Sequence, residues 1–207
     1  TDTTVGPPSG NSGATTGAIG VCGYVARRVE IRNAPEGFRV GGYGYSGGRC
    51  GPVEITDSFI DLANVGCDHS DGISELDWRP NSSVFAHNTI DMRGVPCLTS
   101  PLYIGYGGVV EDNVAYNCSG YAFTAEDGSE SATWRHNLAM RCRDGREAGT
   151  GFWFAGHDHV VVGNYASNCE HYGYETYGGD RPFREMRDNS ASRCFQMFNP
   201  YEWNDVV

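Results

Sequence analysis

Asn113-Val114-Ala115-Tyr116-Asn117-Cys118 is followed by Asn137-Leu138-Ala139-Met140-Arg141-Cys142. Asn164-Tyr165-Ala166-Ser167-Asn168-Cys169 and Asn189-Ser190-Ala191-Ser192-Arg193-Cys194 come next. One pattern, Asn-x-Ala-x-[Asn/Arg]-Cys, recurs at steps of 24, 27 and 25 residues. A fixed period in this range marks a solenoid, with one coil per repeat. Each copy is a short run bounded by Gly, Asn and Asp, which suits a strand and is too short for a helix. Asn tolerates the left-handed backbone, so this reading puts an Asn at the same tight bend of every coil. Stacked Asn side chains also hydrogen-bond along a stack. Ala and Cys at fixed places suit a narrow interior. The expected fold is all-β: a right-handed, single-stranded parallel β-helix.

Working outward, the same alternation appears earlier in the chain. Arg28-Val29-Glu30-Ile31-Arg32-Asn33 reads as coil one, and Val53-Glu54-Ile55-Thr56-Asp57 as coil two, with Asp in place of Asn. Val84-Phe85-Ala86-His87-Asn88 reads as coil three. The bends then fall at Asn33, Asp57, Asn88, Asn113, Asn137, Asn164 and Asn189, and the long step after Asp57 implies an inserted loop. About seven coils at about 4.8 Å each make a stack of roughly 33 Å. Residues 1–18, rich in Thr, Gly, Ser and Pro, read as a tail or irregular cap. The β-helix spans 19–198, and 199–207 form a C-terminal tail.

A second strand line follows each bend, usually after a Gly. It runs through Phe38-Arg39-Val40, Ile73-Ser74-Glu75, Leu102-Tyr103-Ile104, Tyr121-Ala122-Phe123, Phe152-Trp153-Phe154 and Tyr174-Glu175-Thr176. Alternate residues face opposite sides of a strand. Phe38, Leu102, Tyr121, Phe152 and Tyr174 are therefore assigned to the core. Arg39, Ser74, Tyr103, Ala122, Trp153 and Glu175 are assigned to the outside. Exposed aromatics beside carboxylates and Arg suit sugar rings, so Arg39, Tyr103, Trp153 and Glu175 are the candidate substrate-binding residues. The bland alternative is an ordinary solvent face with Trp153 under a loop.

Charge and cysteine narrow the setting. The chain has 207 residues and a net charge of −11, and all 15 basic residues are Arg. An acidic surface argues against nucleic acid and anionic membranes. It also argues against a polyanionic substrate unless the arginines cluster. No apolar run is long enough to span a bilayer. The opening Thr1-Asp2-Thr3-Thr4 reads as a processed form or an excised piece. Eight Cys among Gly-rich turns imply an oxidising, extracellular or cell-surface setting. Cys118, Cys142, Cys169 and Cys194 stack, either as disulfides between neighbouring coils (Cys118 to Cys142, Cys169 to Cys194) or as buried free thiols. Cys22, Cys50, Cys67 and Cys97 lie off that column and are further disulfide candidates. Asn81 and Asn117 match the glycosylation acceptor pattern.

Three clusters could carry chemistry. Asp68-His69-Ser70-Asp71 enters an outer-face strand, and its His69 and Asp71 suit acid–base work. Glu126-Asp127-Gly128, with Glu130 nearby, leaves the strand of coil four. His157-Asp158-His159 leaves the strand of coil five. The last two occupy equivalent places in adjacent coils, about 5–10 Å apart. Glu126, Asp127, His157 and Asp158 thus join His69 and Asp71 as catalytic candidates, suited to glycoside cleavage, epimerisation or lyase chemistry. The same groups would suit Ca²⁺, and Asp and Gly are also simply turn residues.

Asn113-Val114-Ala115-Tyr116-Asn117, Gly120-Tyr121-Ala122-Phe123, Glu126-Asp127-Gly128 and His136-Asn137-Leu138 together resemble the β-helix repeats of G8-domain proteins. These are hyaluronan-degrading and fibrocystin-like surface proteins with a pectin-lyase-like fold. Gly151-Phe152-Trp153-Phe154, Gly163-Asn164-Tyr165-Ala166 and Gly173-Tyr174 continue the resemblance, which covers about residues 102–195. The family often carries His where this chain has Tyr121, and the Glu126-Asp127-Gly128 segment is kept. Two function classes follow. One is a carbohydrate-active or carbohydrate-binding protein acting on a polysaccharide. The other is a structural or adhesive module that self-associates through the ends of its β-helix, because uncapped ends expose strand edges.

Overall fold

A computed structural model describes residues 3–5, 19–20, 23–34, 36–40, 52–62, 71–75, 82–93, 100–125, 129–143, 149–177 and 182–198. They form a right-handed parallel β-helix of three sheets, the hand that parallel crossovers take almost without exception. Each of seven coils supplies one strand to sheet C, then to sheet A, then to sheet B. Coil one is Val25–Arg27, Val29–Ala34 and Phe38–Val40. Coil two is Glu54–Thr56, Phe59–Leu62 and Ile73–Glu75. Coil three is Ser83–Ala86, Thr89–Asp91 and Leu102–Ile104. Coil four is Gly108–Glu111, Val114–Tyr116 and Tyr121–Ala125. Coil five is Thr133–Arg135, Leu138–Met140 and Thr150–Ala155. Coil six is His159–Val162, Tyr165–Ser167 and Tyr172–Tyr177. Coil seven is Phe183–Arg187, Ser190–Ser192 and Gln196–Phe198. Thr3–Val5, in the segment read as tail or cap, pairs with Val29–Ile31, and Ile19–Gly20 pairs with coil one at Phe38 and Arg39. Residues 199–207 lie outside the described residues.

The interior is built of columns because parallel stacking puts the same position of each coil directly above the last. Phe38, Ile73, Leu102, Phe123, Phe152 and Tyr174 are in register along sheet B. The Phe123 and Phe152 rings stack at 4.9 Å and those of Phe152 and Tyr174 at 5.0 Å, both nearly parallel. Trp134 of sheet C packs edge-on against Phe123 of this column at 6.5 Å and against Phe154 at 5.5 Å. Opposite it runs the alanine column Ala115, Ala139 and Ala166, fully buried as the repeat implied. Burying each large apolar side chain contributes roughly 1.5–3 kcal/mol. In coils one to three the same column holds Ile31, Ile60 and Ile90, also fully buried. A Cβ on Gly72 would come within 2.5 Å of the Pro101 carbonyl oxygen and the Ile90 side chain.

The bends differ from the sequence reading. The left-handed residue at the corner between sheets C and A is the one before the ladder position: Asp57, His87, Asp112, His136, Gly163 and Asp188 all have φ between 54° and 65°. The repeated Asn follows it and turns inward. Asn88, Asn113, Asn137 and Asn164 are buried, and each passes its side-chain amide to the Oδ1 of the next Asn along the stack at 2.9–3.1 Å. The coil-two member is Ser58, not Asp57, since the Ser58 backbone amide donates to Asn88 Oδ1. Asn33 belongs to the next corner, between sheets A and B, with Asn117, Arg141, Asn168 and Arg193, all at φ between 52° and 58°.

Candidate functional site

The outer face of sheet B carries two adjoining rows of side chains. Strand pairing aligns Arg39, Ser74, Tyr103, Thr124, Trp153 and Glu175 in one row. All four candidate substrate-binding residues, Arg39, Tyr103, Trp153 and Glu175, thus share one register position. Beside them, next to the corner with sheet A, pairing aligns Tyr121 with Thr150 and Tyr172 with Gln196. Asp71 and Ser100 sit at the same corner of coils two and three, where the Ser100 backbone amide donates to Asp71 Oδ1 at 3.0 Å. Ser100 Oγ and Thr124 Oγ1 share a hydrogen bond of 2.5 Å that ties the two rows together. Thr150 Oγ1 donates to Glu175 Oε2 at 3.1 Å. Ser74, Ser100, Thr124 and Thr150 are buried although they point away from the core, whereas Arg39, Tyr103, Trp153 and Glu175 are half-buried.

Two residues change place relative to the sequence reading. Tyr121 lies outside, not in the core: its ring packs 5.4 Å from Trp153, which in turn stacks 5.9 Å from Tyr177. Ala122 is fully buried, and Thr124 holds the outer position in coil four. The strand of coil four starts before the corner is complete, so Ala122 and Phe123 both turn inward and simple alternation fails there.

At the coil-one end the structure adds a residue that no motif flagged. Glu36 precedes Gly37 as Asp71 precedes Gly72, and the Gly37 amide donates to the Asp71 carbonyl at 2.9 Å. Glu36 is 2% exposed. Among the described residues neither of its carboxyl oxygens finds a hydrogen-bond donor, and the nearest cation is Arg39 Nη1 at 3.7 Å. Burial raises its pKa to about 7; Arg39 opposes the rise and the Asp71 charge adds to it. A buried carboxyl that titrates near neutrality beside a second carboxylate and a guanidinium is a poised proton donor. The shared Glu36-Gly37-Phe38 and Asp71-Gly72-Ile73 pattern was the sequence signal that could have found it.

The three clusters fare differently. Asp71 joins the site above, while His69, with Asp68 and Ser70, lies outside the described residues. So do Glu126 and Asp127. Glu130 pairs with His157 across adjacent coils, with Nε2 to Oε1 at 3.7 Å, and His157 Nδ1 lies 3.2 Å from Asp158 Oδ2. His157 and Glu130 are exposed, at the corner between sheets B and C. His159 points the other way and is fully buried, with Nε2 2.9 Å from the Ala155 carbonyl oxygen and 3.2 Å from Ser129 Oγ. Burial pushes its pKa down, which keeps the ring neutral. Among the described residues no group of three His, Cys, Asp or Glu side chains is arranged to hold a metal ion, Ca²⁺ included. Nor is any helix there long and apolar enough to cross a membrane.

The cysteine column takes both of its expected forms. Cys169 and Cys194 are bonded, with Cα atoms 4.4 Å apart. Cys118 and Cys142 are buried free thiols whose sulfurs lie 2.8 Å apart, and burial pushes the Cys118 thiol pKa up. Cys22, Cys50, Cys67 and Cys97 lie outside the described residues, as does Asn81. The side-chain amide of Asn117 donates to Asp91 Oδ1 at 2.8 Å, so its acceptor nitrogen is already engaged. No known protein family, curated protein or solved structure gives a significant match to the chain.

Proposed function

We propose that the chain is an extracellular, pectin-lyase-like β-helix protein that binds a polysaccharide along the outer face of sheet B. On this reading it performs acid–base chemistry of the lyase, hydrolase or epimerase type. The observation that carries the proposal is Glu36, a buried carboxyl with no hydrogen-bond donor among the described residues, beside Asp71 and Arg39 at one end of a row of aromatic rings. Tyr121, Trp153 and Tyr177 supply flat apolar surface for sugar rings, while Glu175, Thr150 and Arg39 supply hydrogen bonds at their edges. Glu36 in its protonated form is the general acid, and Asp71 is the second carboxylate that such reactions use. The Cys169–Cys194 disulfide supports an oxidising compartment. The resemblance to the repeats of G8-domain proteins points to the same substrate class.

A turnover and binding screen tests this, using neutral and acidic polysaccharides with wild type, Glu36→Gln, Asp71→Asn and Trp153→Ala. The proposal expects turnover to fall at least about 100-fold in the carboxyl variants, the range of general acid–base catalysis, and binding to weaken in Trp153→Ala. Equal turnover in all four chains would sink it.

The last coil favours a second reading, self-association. Among the described residues, the strands of coil seven pair on one side only, and Phe195 is 74% exposed. Sedimentation over a wide concentration range tests this, and a monomer throughout would rule it out.

A further inference from the structure

The corner between sheets A and B is basic, on a chain whose net charge is −11. Arg93, Arg141, Arg143 and Arg193 follow the sheet A strands of coils three, five and seven. Arg93, Arg141 and Arg143 line a cleft of about 550 Å³ floored by Asn117 and Ser119. Arg143 and Arg193 line the next one, of about 300 Å³, with Asn168 and Glu170. Arg93 is neutralised from below: its Nε lies 2.5 Å from Oδ2 of the fully buried Asp91. Arg141, Arg143 and Arg193 are exposed, and none forms an ion pair with a carboxylate among the described residues. Among the described residues the strip therefore holds four guanidinium groups with two carboxylates, Asp91 and Glu170. Two of the arginines sit where the backbone disfavours them. Arg141 and Arg193 have φ of 58° and 56°, in the slot filled by Asn117 and Asn168 in the coils between. A left-handed conformation costs such a residue about 1–2 kcal/mol.

Guanidinium groups present a planar fork of donors that matches the paired oxygens of carboxylate and sulfate. We propose that this corner is a binding cleft for the carboxylate or sulfate groups of a linear acidic polysaccharide lying along the helix axis. Arg141 and Arg193 fill the same slot two coils apart, a pitch of about 10 Å at about 4.8 Å per coil, and Arg93 follows that slot by one residue in coil three, two coils before Arg141. That pitch selects an oligomer over a single ion, because each further engagement is intramolecular and raises avidity without new chemistry. The cleft shares no residue with the outer-face site, so the two proposals stand or fall separately.

The test is calorimetric titration of the full chain with oligogalacturonate, dextran sulfate and neutral dextran oligomers of increasing length, and with inorganic sulfate. The variant is Arg141→Asn with Arg143→Ser, which gives coil five the corner residues of coil four (Asn117 and Ser119) and so keeps a backbone the fold already accepts. Arg184→Gln with Arg187→Gln removes the same charge from the outside of sheet C. The expected result is acidic oligomers binding more tightly as they lengthen, with neutral ones silent. The corner variant should weaken them about tenfold or more, and the control should change little. The oligogalacturonate and dextran sulfate arms identify which acid group is taken. Equal loss in corner variant and control would reduce the effect to net charge and overturn the site. Absence of binding by both acidic oligomers would overturn it as well, as would inorganic sulfate binding as tightly as the longest oligomer. Loss in Trp153→Ala but not in the corner variant would move the ligand to the outer face.

Discussion

The side chain of Asn137, in the middle of the ladder, makes four hydrogen bonds. Its Oδ1 accepts from the backbone amide and the side-chain amide of Asn113, and its own Nδ2 donates to the Val110 carbonyl and to Asn164 Oδ1. All of these groups are buried, and a buried group left unpaired costs about 1–3 kcal/mol. Asn137→Ala should therefore lower unfolding free energy by about 3 kcal/mol or more in a denaturant titration; a loss below about 1 kcal/mol would show the ladder to be dispensable. Glu36 makes the opposite kind of statement. The folded chain holds its proton up to about pH 7, whereas the unfolded chain releases it near the ordinary value of 4.5. The unfolded state thus binds fewer protons between these values, and stability from this group is lost as pH rises across that window. Glu36→Gln removes the loss. Its melting temperature relative to wild type should rise between pH 4.5 and pH 7.5, and a difference independent of pH would contradict the raised pKa.

At the scale of the strand and corner, sequence periodicity sees strands well and corners poorly. The alanine and asparagine columns follow from a strict repeat, because identical coils place identical residues in line. In coils three to seven the turn position was assigned one residue late, whereas Asp57 of coil two is itself left-handed. The reason is that Asn is a good left-handed residue and also a good ladder residue. Only the stack shows that this chain uses it for the second purpose and gives the first to Asp112, His136 and Gly163. Coil four was misread for a related reason: a strand that begins inside a corner turns two successive residues, Ala122 and Phe123, the same way. Glu36 escaped notice because a lone Glu between Pro and Gly forms no motif until Gly37 is stacked on Gly72. Gly163 gives a direct test of the corners. Its φ is 65°, and an added Cβ would lie 2.7 Å from the His136 ring. Gly163→Ala should destabilise by about 1–2 kcal/mol, whereas unchanged stability would mean that the corner relaxes freely. For the cysteine column, peptide mapping without reduction should find Cys169 linked to Cys194. Cys118 and Cys142 should react with an alkylating agent only after unfolding, since both are buried.

For the whole molecule, stacking turns a sequence repeat into long rows of like-placed side chains. On the outer face of sheet B the rows are neither uniformly polar nor uniformly apolar. Carboxyl and guanidinium groups gather toward coils one and two, and aromatic rings toward coils four to six. Around the corner the arginines recur on alternate coils. Fold and coil number were legible because they depend on the period alone. The candidate site was legible in its outer row and at Asp71 but not at Glu36, because that buried acid depends on how coils one and two face each other. The most direct test of the glycan-processing claim is the pH–rate profile of polysaccharide turnover for wild type and Glu36→Gln. The account predicts turnover that falls as pH rises through about 7 in wild type and is nearly abolished in the variant. Undiminished turnover in Glu36→Gln, or none by wild type on any polysaccharide, would contradict it.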